Sequence, residues 1–177
     1  MPSGKTHDVI TVLLAPPTFA ATWGLTGSWV LAAAATAATL FGGLMFGPDL
    51  DIQSKQYTRW GVFRFLWFPY KVVFRHRSRW SHGIIFGTLI RVVYFAAALA
   101  LLVWAGIYLR AAYLSGGGPP GWDELAQAWR LVEAGALRYG VGRDVLLAVL
   151  AGLWWGAASH TLTDVGVSVL RKGSEIF

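Results

Sequence analysis

One uncharged stretch decides the fold of this chain: VITVLLAPPTFAATWGLTGSWVLAAAATAATLFGGLMFGP, from Val9 to Pro48. A helix needs about 20 apolar residues to cross the roughly 30 Å hydrocarbon core of a bilayer, so this stretch is too long for a single crossing. It divides at Gly24-Leu25-Thr26-Gly27-Ser28, a sequence that favours a turn. The stretch therefore predicts two membrane-spanning helices, over residues 6–23 and 28–46.

The composition of the whole chain agrees with a lipid environment. Only 14% of its 177 residues are charged, 55% are hydrophobic, and the mean hydropathy is +0.51. Soluble domains carry about 25% charged residues. The chain has no cysteine, which excludes disulfides, thiolate metal ligands and thiol nucleophiles. Its length predicts a single membrane domain over residues 1–177, without a separate soluble enzyme domain.

Two more apolar stretches predict spans over residues 83–109 and 145–161. Between the spans, residues 60–74 mix aromatic with basic side chains, a combination typical of the membrane interface. Residues 125–139 have apolar side chains at helical spacing, which predicts an amphipathic surface helix. The predicted fold is therefore all-α: an integral membrane bundle of about four transmembrane helices, with one interfacial aromatic and basic segment and one amphipathic surface helix.

The basic residues predict how this bundle is oriented. The net charge is +6, and an excess of Lys and Arg in a membrane protein marks the cytoplasmic side and its anionic lipid. Four spans place both termini and the loop over residues 49–82 on one side, which collects ten of the fifteen Lys and Arg residues. We expect a multi-pass protein of the inner (plasma) membrane that contacts membrane lipid and binds no nucleic acid.

The same topology brings all the histidines of the chain together. They fall, with several aspartates, on the predicted cytoplasmic side, although they are far apart in sequence. The set comprises His7, Asp8, Asp49, Asp51, His76, His82, His160 and Asp164.

Each fragment of this set also has an ordinary interpretation. His7-Asp8 is a suitable helix start, because an acid favours the positive end of the helix dipole. Pro48-Asp49-Leu50-Asp51 suits a turn. The basic loop over residues 76–82 suits lipid headgroups, and a pair spaced like His160 and Asp164 shares a helical face and suits a packing hydrogen bond. These interpretations weaken when the fragments are taken together, because ionisable groups near lipid are costly and usually functional.

Imidazole and carboxylate groups are ligands for zinc, iron and manganese, so the set predicts a divalent metal site. Zinc is the first choice of ion, with manganese or iron as alternatives. Eight groups exceed the needs of one four-coordinate ion, so the set allows one ion with outer orienting groups or a pair of ions. Asp49 and His76 are open to roles as ligands, catalytic bases or orienting groups. The first choices as ligands are His7, Asp8, Asp51, His82, His160 and Asp164.

Four motifs carry a resemblance to a known family. They are Ser3-Gly4-Lys5-Thr6-His7-Asp8, the segment GLMFGPDLD over residues 43–51, HRSRWSHG over residues 76–83, and Ser159-His160-x-x-x-Asp164. In this order they resemble an uncharacterised family of bacterial integral membrane proteins described as metal-binding. A looser similarity runs to the inner-membrane metal-dependent hydrolases, which in turn look distantly like zinc phospholipases C. Gly83 departs from that wider pattern, in which a serine often follows the second loop histidine.

These observations lead to three functional hypotheses. The first is a metal-dependent hydrolase that acts on a phosphoester or lipid-like substrate at the cytoplasmic membrane face. In this hypothesis Asp49 and His76 take part in catalysis, while Arg77 and Arg79 hold an anionic substrate. The second is a non-enzymatic metal-binding or sensing protein with a closed coordination shell. The third, a metal transporter, is the weakest, because transporter sites usually lie near the bilayer midplane. The sequence leaves the oligomeric state open.

Overall fold

The computed structural model describes residues 3–74, 78, 80, 83, 85–138, 140 and 142–174, with side chains described as far as Val169. Within these residues the regular structure is helical throughout, which confirms the all-α prediction. The α-helices are α1 (Gly4–Thr26), α2 (Trp29–Met45), α3 (Lys55–Arg59), α4 (Phe68–Val73), α5 (Phe86–Leu114), α6 (Trp122–Arg138) and α7 (Arg143–Ser174). Two 3₁₀ helices cover Pro48–Asp51, called the acidic turn below, and Gly61–Trp67.

Three helices are long and apolar enough to cross a bilayer: α1, α5 and the part of α7 from Arg143 to Val169. Helix α2 is apolar but has only 17 residues, slightly fewer than the roughly 20 that a perpendicular crossing requires. The architecture is compatible with a membrane protein. Three of the four predicted spans meet the length requirement, and the fourth is short.

Helix α7 extends well beyond its predicted end at Thr161. The residues that follow Thr161 contain no proline, so nothing in them removes a backbone donor and breaks the helix. The predicted end was placed where the hydropathy of the sequence falls. Hydropathy indicates which part of a helix suits an apolar environment, and it does not show where the helix ends. As a result, His160 and Asp164 both lie inside a continuous helix.

The two segments predicted to lie outside the spans are short or peripheral helices. Residues 60–74 form the second 3₁₀ helix and α4, which bury Trp67 and Tyr70 while Phe63 stays 59% exposed. Helix α6 covers the predicted amphipathic segment, and its Ala128 is buried against α5. Both segments are therefore helical in the described structure, with α6 beginning earlier than predicted, and their position at a membrane interface stays a prediction.

Helices α2 and α7 form the most extensive contact between two helices in the described chain. Glycines make this close approach possible: a Cβ atom on Gly42 would lie 2.6 Å from the Leu153 carbonyl oxygen. A Cβ atom on Gly156 would overlap the Thr39 carbonyl in the same way. Small residues are what allow two apolar helices to pack backbone against backbone, and this contact fixes where α7 lies beside the acidic turn.

An aromatic cluster supports the acidic turn from the other side. Phe46, Leu50 and Trp67 are each 0% exposed, and they pack with Ala157 of α7. Leu50 lies between Asp49 and Asp51 in the sequence, so its burial holds the middle of the acidic turn in the core. The turn is therefore anchored by apolar burial while its two carboxylates remain available for polar contacts.

Gly156→Ala tests whether the contact between α2 and α7 is as close as described. The added methyl group meets the α2 backbone, which cannot move aside cheaply, so we expect destabilisation of about 1–3 kcal/mol. Thermal unfolding of the purified protein in detergent measures this. Gly166→Ala is the matched control in the same helix, because no atom lies within 4 Å of its added methyl group. An unchanged midpoint for Gly156→Ala would contradict the close contact.

Candidate metal centre

The first turn of α1 and the middle of α7 bring three predicted ligands together. Ser3 caps α1 by accepting a hydrogen bond from the Thr6 backbone nitrogen, and this cap fixes the helix start from which His7 projects. His160 and Asp164 follow one another by one helical turn on α7. The side chains of His7, His160 and Asp164 each offer one ligand atom, and these atoms all lie within 4.8 Å of one another.

The carboxylate of Asp164 lies beside both imidazoles. Its Oδ1 is 3.3 Å from Nε2 of His7, and its Oδ2 is 3.9 Å from Nε2 of His160. Asp49 approaches from the acidic turn, with Oδ2 3.7 Å from the same Nε2 of His160. Two helices thus bring ligand atoms of His7, His160 and Asp164 together, and the acidic turn places Asp49 beside His160.

The two imidazole rings are stacked on one another and buried. Their centroids are 3.6 Å apart with an interplanar angle of 8°, and the exposed fractions of His7 and His160 are only 6% and 5%. The Nδ1 atom of His7 is buried and has no hydrogen-bond partner among the described residues. Two buried polar rings stacked beside a carboxylate require compensation, which a bound cation would provide.

Gln56 of α3 orients His160 from behind, a role that sequence analysis missed. Its amide nitrogen lies 3.2 Å from Nδ1 of His160 and donates to the Gly43 carbonyl oxygen at 3.1 Å. Gly47 leaves room for this amide, because a Cβ atom there would overlap the Gln56 side chain. Metal-bound histidines usually donate their second ring N–H to an oxygen acceptor, so a His160 that binds metal through Nε2 requires the amide to turn its buried Oε1, which has no hydrogen-bond partner among the described residues, towards Nδ1. The sequence signal for this contact was Gly47, directly before Pro48. The sequence does not show, however, which side chain fills the space beside that glycine.

Asp8 lines the same cavity as His7 and His160 but is not a member of the three-ligand group in the described residues. It forms a two-point ion pair with Arg59, at 2.9 and 2.6 Å, and Arg59 also donates to the Leu44 carbonyl oxygen. The hydrogen bond with Asp8 raises the pKa of the Arg59 guanidinium above its usual value. In the described structure the Asp8 carboxylate ties the start of α1 to α3, and its role as a metal ligand stays a prediction. This pair was not predicted.

The structure gives a different outcome for each of the other predicted site residues. Asp51 is 4% exposed and is not a member of the three-ligand group found in the described residues. His76, His82, Arg77 and Arg79 lie outside the described residues, so their predicted roles stay predictions. Of the eight predicted metal-binding groups, the structure brings together His7, His160 and Asp164, with Asp49 beside them.

The donor set fits a divalent ion. Zinc sites hold nitrogen and oxygen ligands at roughly 2.0–2.2 Å, which separates neighbouring ligand atoms by about 3.3 Å in a tetrahedron. The separations of 3.3 and 3.9 Å around Asp164 are close to this value. Three protein ligands are also the number found in catalytic zinc sites, where a fourth position stays open.

His160→Ala should remove most of the bound metal, because it deletes a donor held in place by α7 and Gln56. Asp8→Asn is the control: its carboxylate already binds Arg59, so we expect metal content near that of the wild type. Elemental analysis of the purified variants measures both. Loss of metal from Asp8→Asn together with retention in His160→Ala would reverse the assignment.

Gln56→Leu tests the orienting contact. The substitution keeps the side chain buried but removes the amide beside Nδ1 of His160. Losing such an outer contact typically weakens metal binding about 10–100-fold. A competition titration against a coloured chelator gives the affinity, and a value equal to that of the wild type would show that the amide does not orient the ring.

Comparisons with known proteins agree with a metal site. The family described as "Uncharacterized metal-binding protein (DUF2227)" matches residues 2–173. A protein of Aquifex aeolicus (strain VF5), described as "Uncharacterized protein", is 43% identical over 56 residues, which are 31% of this chain and 39% of that protein. The chain thus spans well under half the length of this curated relative. No solved structure matches the chain. Because the family match covers nearly all of the sequence, the chain belongs to the DUF2227 family of metal-binding proteins.

Proposed function

We propose that this protein is a metal-dependent hydrolase that acts on a phosphoester at a membrane surface. One observation carries the proposal: a cavity of about 210 Å³ opens directly onto the candidate metal-binding residues. His7, His160 and Asp49 form one part of its wall, and Lys55 and Arg59 line another part. A purely structural ion would need no such access, whereas a substrate must reach the ion from one open side.

The cavity has the charge expected for an anionic substrate. The ammonium group of Lys55 and the guanidinium of Arg59 belong to side chains on α3, and both kinds of cation bind phosphate oxygens. Arg59 is already paired with Asp8, so Lys55 is the better candidate for direct contact. Arg77 and Arg79, predicted from sequence to bind the substrate, would add to this charge.

Zinc is the proposed ion, and when bound it would supply a Lewis acid that lowers the pKa of water. His7, His160 and Asp164 would hold it. Asp49 is the proposed general base, because its side chain is 31% exposed and its Oδ2 lies 3.7 Å from His160. A carboxylate at the edge of a cavity can take a proton from water and then release it to solvent.

A non-enzymatic metal-binding protein is the second candidate, and the position of Asp49 favours it. In this function Asp49, 3.7 Å from His160, would move in as a fourth ligand and close a tetrahedral shell, as in structural zinc sites. Whether Asp49 is a base or a ligand therefore decides between the two functions.

Asp49→Asn separates the two functions. If Asp49 is the base, the variant keeps its metal and loses about 10²–10⁴-fold in kcat. Zinc-loaded protein in detergent is assayed with bis(p-nitrophenyl) phosphate, p-nitrophenyl phosphate and phosphatidic acid. Lys55→Ala should raise KM several-fold with little change in metal content, and Arg64→Ala, outside the cavity, is its control. Loss of metal from Asp49→Asn, with a fully loaded but inactive wild type, would favour the binding protein.

The proposed location of the site is the cytoplasmic face of the inner membrane, supported by the basic residues around the acidic turn. The chain has no cysteine, so single cysteines can be labelled without background. Thr58→Cys should react with a membrane-impermeant maleimide only from the cytoplasmic side, and Gly118→Cys only from the opposite side. Labelling of both positions from the same side would contradict the four-span topology.

A further inference from the structure

Side chains from α3 hold the end of α2. Helix α2 ends at Met45, and the last carbonyl groups of a helix have no backbone donor within the helix itself. In a continued helix the Leu44 carbonyl would accept from residue 48, but Pro48 has no backbone N–H. Arg59 supplies a donor in its place, with Nη1 2.8 Å from the Leu44 carbonyl oxygen.

Trp60 makes the neighbouring contact. Its Nε1 donates to the Met45 carbonyl oxygen at 2.8 Å. Its ring packs edge-on against Phe41 of α2, with the ring centroids 5.7 Å apart, and meets Trp67 of the aromatic cluster at 5.3 Å. Two successive residues at the end of α3 thus bind two successive carbonyls at the end of α2.

These contacts fix the position of α3, which is too short to be stable alone. Helix α3 has five residues, and helices shorter than about 12–15 residues are marginal without packing partners. Helix α2 in turn is fixed against α7 by the close glycine contacts. Arg59 and Trp60 therefore help to define where α3 lies relative to the helix that carries His160.

The position of α3 matters because Gln56 belongs to it. The Gln56 side chain is 6% exposed, and its amide lies 3.2 Å from Nδ1 of His160. Gln56 and Arg59 are three residues apart, so they are neighbours on one face of the helix. An arginine bound to the end of α2 thereby keeps the amide beside His160.

We propose that Arg59, together with Trp60, is a positioning residue for the metal centre: by binding the last carbonyls of α2 it holds α3 in place, and so keeps Gln56 beside His160. The ion pair with Asp8 is then one of two functions of the guanidinium group. The proposal rests on the metal site of the proposed function but not on hydrolysis.

The sign of the effect on metal affinity distinguishes positioning from charge. Arg59 is a cation that lines the cavity beside the site, and a cation repels a metal ion. Its removal should therefore tighten metal binding if only charge matters, whereas a displaced α3 should weaken it. Mutation of groups that orient metal ligands typically costs about 10–100-fold in affinity.

The experiment measures the zinc affinity of the full chain in detergent by competition with a coloured chelator. Each Arg59 variant also carries Asp8→Asn, so that no carboxylate is released at the cavity, and is compared with Asp8→Asn alone. We expect Arg59→Met to weaken zinc binding at least about tenfold. Arg59→Lys should recover part of this loss, because an ammonium group can still reach one acceptor. Arg64→Met, outside the cavity, is the matched control and should bind zinc as its parent does.

Trp60→Phe tests the second contact without a change of charge. It keeps an aromatic ring against Phe41 and removes only the N–H donor, so we expect zinc binding to be several-fold weaker. Ile107→Ala is the control for stability alone. Ile107 is buried in the contact between α5 and α6, so its truncation should lower the unfolding midpoint and leave the zinc affinity unchanged.

A double-mutant cycle shows whether Arg59 acts through Gln56. Gln56→Leu already removes the amide that Arg59 holds in place, so adding Arg59→Met to it should cause little further loss. The same tenfold loss with and without Gln56→Leu would show another route and would overturn the proposal. Unchanged or tighter zinc binding by folded Arg59→Met or by Trp60→Phe would also overturn it. If Arg59→Met does not fold, Trp60→Phe gives the decision in the same two backgrounds.

The outcomes also keep this proposal apart from the proposed function. Absence of phosphoester hydrolysis, with the zinc affinities in the expected order, would reject the hydrolase and leave the role of Arg59 standing. A wild-type chain that binds no zinc would overturn the metal site and the role of Arg59 with it.

Discussion

The close contact between α2 and α7 is the constraint on which the site depends. Helix α2 leads directly into the acidic turn, and α7 carries His160 and Asp164. Glycines at 42, 152 and 156 let the two backbones touch, so the register between the helices is fixed by steric fit. Because apolar side chains gain little from contact with each other in lipid, such fit is a main source of helix association there. A small error in this register would separate Asp49 from His160.

The polar groups near the site form layers with separate functions. Nearest the metal position are two stacked imidazoles and Asp164, and behind them Gln56 holds His160. The pair between Asp8 and Arg59 lines the cavity beside them. The apolar floor formed by Leu50 and the aromatic cluster excludes water from below, so the polar interactions above it are less screened than they would be in solvent.

Sequence analysis predicted the centre of the site but not its surroundings. A spacing of four residues places His160 and Asp164 on one helical face wherever the helix begins. An even number of spans places the start of the first helix and the end of the last at the same end of the bundle, which brings His7 there. Helix geometry and topology were therefore sufficient for these three residues. Asp8 adjoins His7 in sequence, yet a neighbouring helical residue points about 100° away, and there it meets Arg59. Gln56 and Arg59 act through contacts between distant segments, and nothing in their local sequence marks them. Likewise, α7 continues past the predicted span end at Thr161, because hydropathy indicates the apolar part of a helix and not where its hydrogen bonds stop.

The stacked pair of His7 and His160 has a consequence for the order of assembly. One ring comes from the first and the other from the last of the described helices, so the site cannot form before α7 has been synthesised. Contacts between such distant segments form late, because closing the long intervening loop costs entropy. Metal would then bind only molecules in which both helices are in place, because incomplete chains lack the full set of ligand atoms. The binding free energy of the ion would therefore stabilise only the assembled bundle.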